Sequence, residues 1–232
     1  RFCTLGAIED YLYGGNDLRL RMWGLAIGFA VVGSFSLMAF GLFDPANSFY
    51  LSQRWMPLAS IVGGGLFGYG MAMSGNCGYG ALARLGGGDL RSFVIVLVMG
   101  ISAYATISGP LAWARVALFP SEPAGTVPQG MAHAIGSSTG ISVSIIGMVI
   151  GLLIVGLALA GRRLRKSKSS MLWAIAAGVS VISAWAGMQY IHDVGFDELP
   201  VVSHTFSAPL GEVIIYGMTA SGQTLSFGIG SV

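Results

Sequence analysis

Charged side chains are scarce in this 232-residue chain, at 9% of positions, where soluble domains carry ~25%. So few charges cannot clothe a water-exposed surface, and a soluble globular fold is excluded. The net charge of +2 is too small for a polyanion-binding face. The basic residues lie in short segments without interleaved aromatics, so no nucleic acid is expected as a partner. Cysteine is nearly absent: Cys3 and Cys77 alone cannot build a disulfide framework. The three histidines, His133, His192 and His204, fall in no CxxC or HxxxH pattern, and neither a metal site nor a cofactor is expected. The chain opens on Arg1 without a visible signal segment and stops at Val232 inside an apolar run, which reads as a fragment of a longer protein.

What is present is apolar. Hydrophobic residues make up 54% of the chain and the mean hydropathy is +0.73, the signature of a polytopic membrane protein. A membrane helix needs about 20 residues to cross ~30 Å of hydrocarbon. The runs 22–43, 92–114, 141–161 and 171–191 meet that length without an internal charge. Two further runs, 55–75 and 211–232, are long enough but rich in glycine, serine and threonine, and each fits either a span or a broken, re-entrant element. The whole of 1–232 reads as one integral-membrane transport domain, incomplete at its ends. Gly24xxxGly28, Gly64xxxGly68 and Gly147xxxGly151 fit close helix packing.

If all six runs cross, segments 1–21, 76–91 and 162–170 share one side and hold ten of the twelve basic residues. By the positive-inside rule that side, including loop 162–170, is cytoplasmic. The opposite side holds Arg54 and Arg115. Its segment 111–130 carries prolines at 120, 123 and 128 and is expected to be an ordered, non-helical loop.

The glycines concentrate from Gly63 to Gly88, around Cys77. Glycine costs a helix about 1 kcal/mol per residue against alanine, so such density points to tight turns, close helix approach or exposed backbone amides. The motifs Arg1-Phe2-Cys3-Thr4-Leu5-Gly6-Ala7-Ile8-Glu9-Asp10, Gly70-Met71, Gly75-Asn76-Cys77-Gly78 and Arg84-Leu85-Gly86-Gly87-Gly88-Asp89-Leu90-Arg91-Ser92 resemble those of the YeeE/YedE family of sulfur-transport membrane proteins. The resemblance implies a bacterial inner-membrane protein that takes up thiosulfate, or one linked to selenium metabolism. It implies an all-α bundle with pseudo-symmetric halves, in which short, glycine-rich re-entrant helices meet at a narrow centre. It places Cys3 and Cys77 on the ion path, with Thr4, Gly75, Asn76 and Gly78 beside them. A third family cysteine, in a C-terminal Gly-Cys-Thr block, has no counterpart in these 232 residues.

Physical chemistry gives that reading a mechanism. A dianion entering hydrocarbon faces a large desolvation cost, which backbone N–H groups at the ends of broken helices offset. A neutral thiol adds one weak donor that releases readily, as a carrier requires. Each residue also has a plainer explanation. Cys77 and Cys3 are explained as small buried hydrophobes. Arg84 and Arg91 draw anions to a pore mouth or only anchor the chain by the positive-inside rule. Glu9, Asp10 and Asp17 relay a proton or cap helices. Tyr69–Gly75 recurs as 216–222, either as an internal repeat or by chance in a glycine-rich chain. The protein is expected not to be an enzyme. The alternative is a sulfurtransferase or sulfur-delivery protein carrying a Cys77 persulfide, with 162–168 docking a soluble sulfur acceptor.

Overall fold

Prolines and glycines punctuate the apolar runs, and the helices begin and end where they fall. The computed structural model describes residues 2–51, 56–120, 130–195, 201–204 and 207–219, and no strand forms among them. The α-helices are α1 (Thr4–Leu12), α2 (Leu18–Ala39), α3 (Pro57–Ser74), α4 (Gly78–Gly86), α5 (Leu90–Ile107), α6 (Ala112–Leu118), α7 (Met131–Thr139), α8 (Val143–Leu159), α9 (Arg162–Lys166), α10 (Lys168–Val194) and α11 (Ser207–Thr219). Among the described residues, α2, α5 and α10 are long and apolar enough to cross a membrane, and α8 is a shorter apolar helix. Their outward faces carry exposed leucine, isoleucine, valine and phenylalanine, a surface suited to lipid. The protein is an all-α, polytopic membrane bundle.

Although the sequence reads as one transport domain, the chain divides into two compact units, 1–55 with 123–203, and 56–122 with 204–232. In the first, α2 packs against α8 and α10, while α1 lies on α2 and α7 on α8. The α2/α8 crossing is a glycine contact. A Cβ on Gly28 would meet the backbone N of Val155 at 2.9 Å and the carbonyl of Gly151 at 3.0 Å. A Cβ on Gly151 would meet the backbone N of Val32 at 2.9 Å and the carbonyl of Gly28 at 3.1 Å. The further pairs Gly24 with Ala158 and Phe35 with Gly147 show the two helices running antiparallel. On the other side of α2, Gly178 of α10 fits against Ala26 and Phe29, and Gly33 receives Ile182.

A basic end closes this unit. Arg21 pairs with Asp17 and donates from Nη1 to the Leu157 carbonyl at 2.7 Å. Arg163 donates to the Gly15 carbonyl at 2.9 Å and approaches Asp17 at 4.0 Å. The Asp17 carboxyl is held below its usual range, chiefly by the Arg21 hydrogen bond, against a smaller opposing effect of desolvation. Beneath this clasp lies a core of Met22, Leu25, Ala26, Ala158, Leu164 and Ala174. A second cluster, Phe43, Met188 and Val201, forms where Val201 bridges to Ser48.

In the second unit α4 and α11 pack on α5. Here too glycines set the contact: Gly100 faces Leu210 and Ile214, and Gly211 faces Tyr104 and the Gly100 carbonyl at 3.1 Å. The glycine-rich run 55–75 forms one unbroken helix, α3, of 18 residues, about 27 Å long at 1.5 Å per residue. The run 92–114 does not continue as one helix. It leaves helical geometry at Ser108, before Pro110, which has no N–H to give. The expected non-helical loop 111–130 is corrected over its first part. Ala112–Leu118 is helical, because Ala-Trp-Ala-Arg-Val-Ala-Leu favours helix and Arg115 Nε bonds the Thr106 carbonyl at 3.1 Å. The loop's prolines at 123 and 128, with Arg54 and positions 220–232, lie outside the described residues. Of the possible repeat, Tyr69–Ser74 and Tyr216–Thr219 are both helical, in α3 and α11, and 220–222 are likewise outside.

The α2/α8 crossing yields a test. Gly28→Ala is expected to destabilise the folded protein by about 1–3 kcal/mol, as overpacking does. Gly156→Ala, on the same α8 but with nothing within 4 Å of its Cβ position, should be neutral or stabilising by up to about 1 kcal/mol. Thermal unfolding in detergent compares them; equal stability of the two variants would contradict the close crossing.

Candidate functional site

The cysteines lead short helices. Gly75 ends α3 in a left-handed conformation, φ +64°, which glycine adopts without strain. The reversal places Asn76 and Cys77 directly before α4. Cys77 is the N-cap of α4, and its Sγ accepts a hydrogen bond from the Gly80 N–H at 3.3 Å. Sulfur here does what serine or aspartate oxygen does at ordinary N-caps. Cys77 is 6% and Asn76 5% exposed, and Gly78, the first residue of α4, is buried. The Asn76 carbonyl accepts from Ser74 Oγ at 2.9 Å. The Asn76 carboxamide lies over Gly80, in the space a side chain there would need.

Cys3 holds the same position in the first unit. It stands at the N-cap position of α1, half-buried, in an extended backbone conformation like that of Cys77, but its side chain makes no capping hydrogen bond. Thr4 is the first residue of α1. Both helices are nine residues long, and both have glycine three residues after the cysteine, Gly6 and Gly80. Each is followed by a turn, an aspartate N-cap (Asp17 or Asp89) and a long apolar helix, α2 or α5. The Asp89 carboxyl accepts from the Arg91 N–H at 3.0 Å and from Ser92 Oγ at 3.0 Å. Those two bonds, the Arg91 N–H first, hold it below the usual carboxylate range.

Thus the structure brings Gly75, Asn76, Cys77 and Gly78 together, and sets Cys3 with Thr4. Arg84 and Arg91 are not part of either group. Arg84 sits in the last turn of α4, seven residues from Cys77 and hence about 10 Å along the helix axis. A cation there complements the C-terminal end of the helix dipole. Two features escaped the sequence reading: the repeated C-x-x-G at Cys3–Gly6 and Cys77–Gly80, and the partner that fills the space over each glycine. Over Gly80 that partner is Asn76; over Gly6 it is Arg19. The C-x-x-G repeat was the available signal. Asp10, read as cap or relay, instead pairs with Arg19 at 3.2 Å. Among the described residues, no group of three or more His, Cys, Asp or Glu could hold a metal ion.

A family model described as sulphur transport matches residues 1–232. The chain belongs to the sulphur transport family. Its relatives include the thiosulfate transporter TsuA of Spirochaeta thermophila, 30% identical over 196 residues, covering 81% of this chain and 57% of the relative. A second is the thiosulfate transporter TsuA of Escherichia coli, 30% identical over 94 residues, covering 40% of this chain and 25% of that protein. The chain thus spans a little over half the length of the first of these relatives, and a family role in sulfur transport is what the match carries.

The cap geometry makes a direct prediction. Cys77→Ser keeps an acceptor for the Gly80 N–H and should leave stability unchanged. Cys77→Ala removes it and should cost about 1 kcal/mol. Thermal unfolding of both purified variants tests this; equal losses would mean that the sulfur contact does not cap the helix.

Proposed function

We propose that this protein carries thiosulfate, or a closely related sulfur anion, across the bacterial inner membrane, with the helix ends that its two cysteines lead as stations on the path. One observation carries the reading. Both cysteines of the chain occupy the same structural position, at the N-terminus of a nine-residue helix with glycine three residues on. The first N–H groups of a helix have no internal partner, and together with the dipole they favour an anion. The 30% identity to proteins named thiosulfate transporters supports the choice of anion.

At Cys77 the Gly80 N–H occupies a lone pair of the sulfur, which leaves the S–H hydrogen free to be donated. A neutral thiol of this kind adds a weak contact to a terminal sulfur or oxygen of the anion, strong enough to replace part of its hydration and weak enough to release it. Gly75 and Gly78 keep side chains away from that approach. No covalent step is needed for passage. The basic clasp of Arg21, Arg162, Arg163, Arg165 and Lys166 faces the cytoplasm by the positive-inside rule. Its exposed members Arg162, Arg165 and Lys166 suit a soluble sulfur-accepting protein on that side.

The test is growth on thiosulfate of a bacterium lacking its own sulfate and thiosulfate uptake, expressing the full-length gene with native Cys77 or Cys77→Ala at matched membrane levels. Growth with the native gene and none with the variant is expected. Equal growth of both would remove Cys77 from the path. No growth with either would sink thiosulfate import and favour a selenium species or sulfur delivery.

A further inference from the structure

A groove opens on α10 at the basic end of the first unit. It has a volume of about 400 Å³ and is lined by Lys168, Met171, Leu172 and Ile175, which follow one another at the i, i+3, i+4, i+7 spacing of a single helix face. One end of the groove is therefore cationic and the rest is apolar. From Lys168 to Ile175 the face runs about 10 Å along the helix axis. Met171 and Ile175 are half-buried against the core that contains Leu164 of α9, which fixes the floor, while Leu172 is 63% exposed. Trp173, at the next position, is also exposed, close to the helix end where indole rings settle at a membrane interface.

The charge around the groove has one sign. Arg162, Arg163, Arg165, Lys166 and Lys168 fall within seven positions, and the chain has no Asp or Glu between Glu122 and Asp193. Asp17 reaches this end, but Arg21 and Arg163 engage it. A cation above an apolar channel matches a phospholipid, which carries phosphate at one end and hydrocarbon below it. An acidic soluble protein would meet the cations and leave the channel beneath them unfilled.

We propose that this groove is a specific site for an anionic phospholipid, with its phosphate on Lys168 and an acyl chain along Met171, Leu172 and Ile175. The lysine stem lies along the apolar wall and its ammonium stays at headgroup level, as long basic side chains do at helix ends. Arg162, Arg165 and Lys166 line no part of the groove, and the site is independent of which anion the protein carries. A lipid seated there is held by α10, which packs on α2, and so becomes part of the frame of the first unit.

Native mass spectrometry of the full-length protein, titrated in detergent with phosphatidylglycerol or with phosphatidylcholine of the same acyl chains, tests the site. The first phosphatidylglycerol is expected to bind about fivefold more tightly than phosphatidylcholine. Lys168→Gln, at an exposed position, should remove most of that preference, whereas Lys166→Gln should change it by less than about twofold. Inorganic phosphate in large excess should leave the lipid bound. Equal losses in the two variants would assign the preference to the general field of the basic end and overturn the site. Displacement by phosphate would overturn it too, because the groove would then hold no chain. Equal binding of the two lipids by the native protein would overturn it and leave the cations to an acidic soluble partner. The lipid comparison and the phosphate competition need only the native protein, so they decide even if a variant fails to fold.

Discussion

The close antiparallel crossing of α2 and α8 is the contact on which the first unit depends. In a bilayer no hydrophobic force separates helix from lipid, so association rests on tight packing of small residues. Gly28 and Gly151 let each backbone approach the other's carbonyl, and every other helix of the unit is referred to that pair: α1 and α10 to α2, α7 to α8. The basic clasp at one end joins the same two helices through Arg21 and the Leu157 carbonyl. A displacement of α2 relative to α8 would therefore carry α1, and with it Cys3. In the second unit the Gly100–Gly211 contact does the same for α5 and α11, with α4 and Cys77 resting on α5.

On this frame the short helices present their N-termini at defined places. An uncapped helix start in a membrane leaves N–H groups without water to satisfy them. A cysteine cap is weaker than an aspartate one, and on the proposed path that weakness suits an end that must change partners. At Cys77 the sulfur satisfies the Gly80 amide, and in the proposed transport an anion takes up the remaining N–H groups. Asp17 and Asp89, by contrast, start α2 and α5, the helices that the short ones rest on. The side chain of Asp89 bonds the first turn of α5, and that of Asp17 binds Arg21.

Much of this was legible in the sequence, for identifiable reasons. Length and hydropathy locate the apolar helices, because crossing hydrocarbon demands both. The glycine turn at Gly75 and the cysteine after it stand out by composition. The helix α6 did not, since the prolines nearby at 110 and 120 mask a short run of good helix formers. Close packing was visible as GxxxG, but the choice of partner was not. Gly24xxxGly28 meets α8 and Gly147xxxGly151 meets α2, whereas Gly64 and Gly68 of an equally good motif have nothing within 4 Å among the described residues. The pairing of Asp10 with Arg19 was hidden for a similar reason, because it depends on α1 folding back along α2, a matter of tertiary geometry. The likeness of the Cys3 and Cys77 ends lay in the three-residue spacing to glycine and became meaningful once both proved to stand at helix N-cap positions, with a side-chain cap bond at Cys77.

The central proposal is that a sulfur anion passes the helix ends that Cys3 and Cys77 lead. The most direct measurement is uptake of radiolabelled thiosulfate into proteoliposomes containing the purified full-length protein, native or with Cys3 and Cys77 both changed to serine. The account predicts uptake by the native protein that unlabelled thiosulfate competes away, and loss of most of it in the double variant despite an intact fold. Undiminished uptake by the double variant would contradict it, because the path would then not need its thiols.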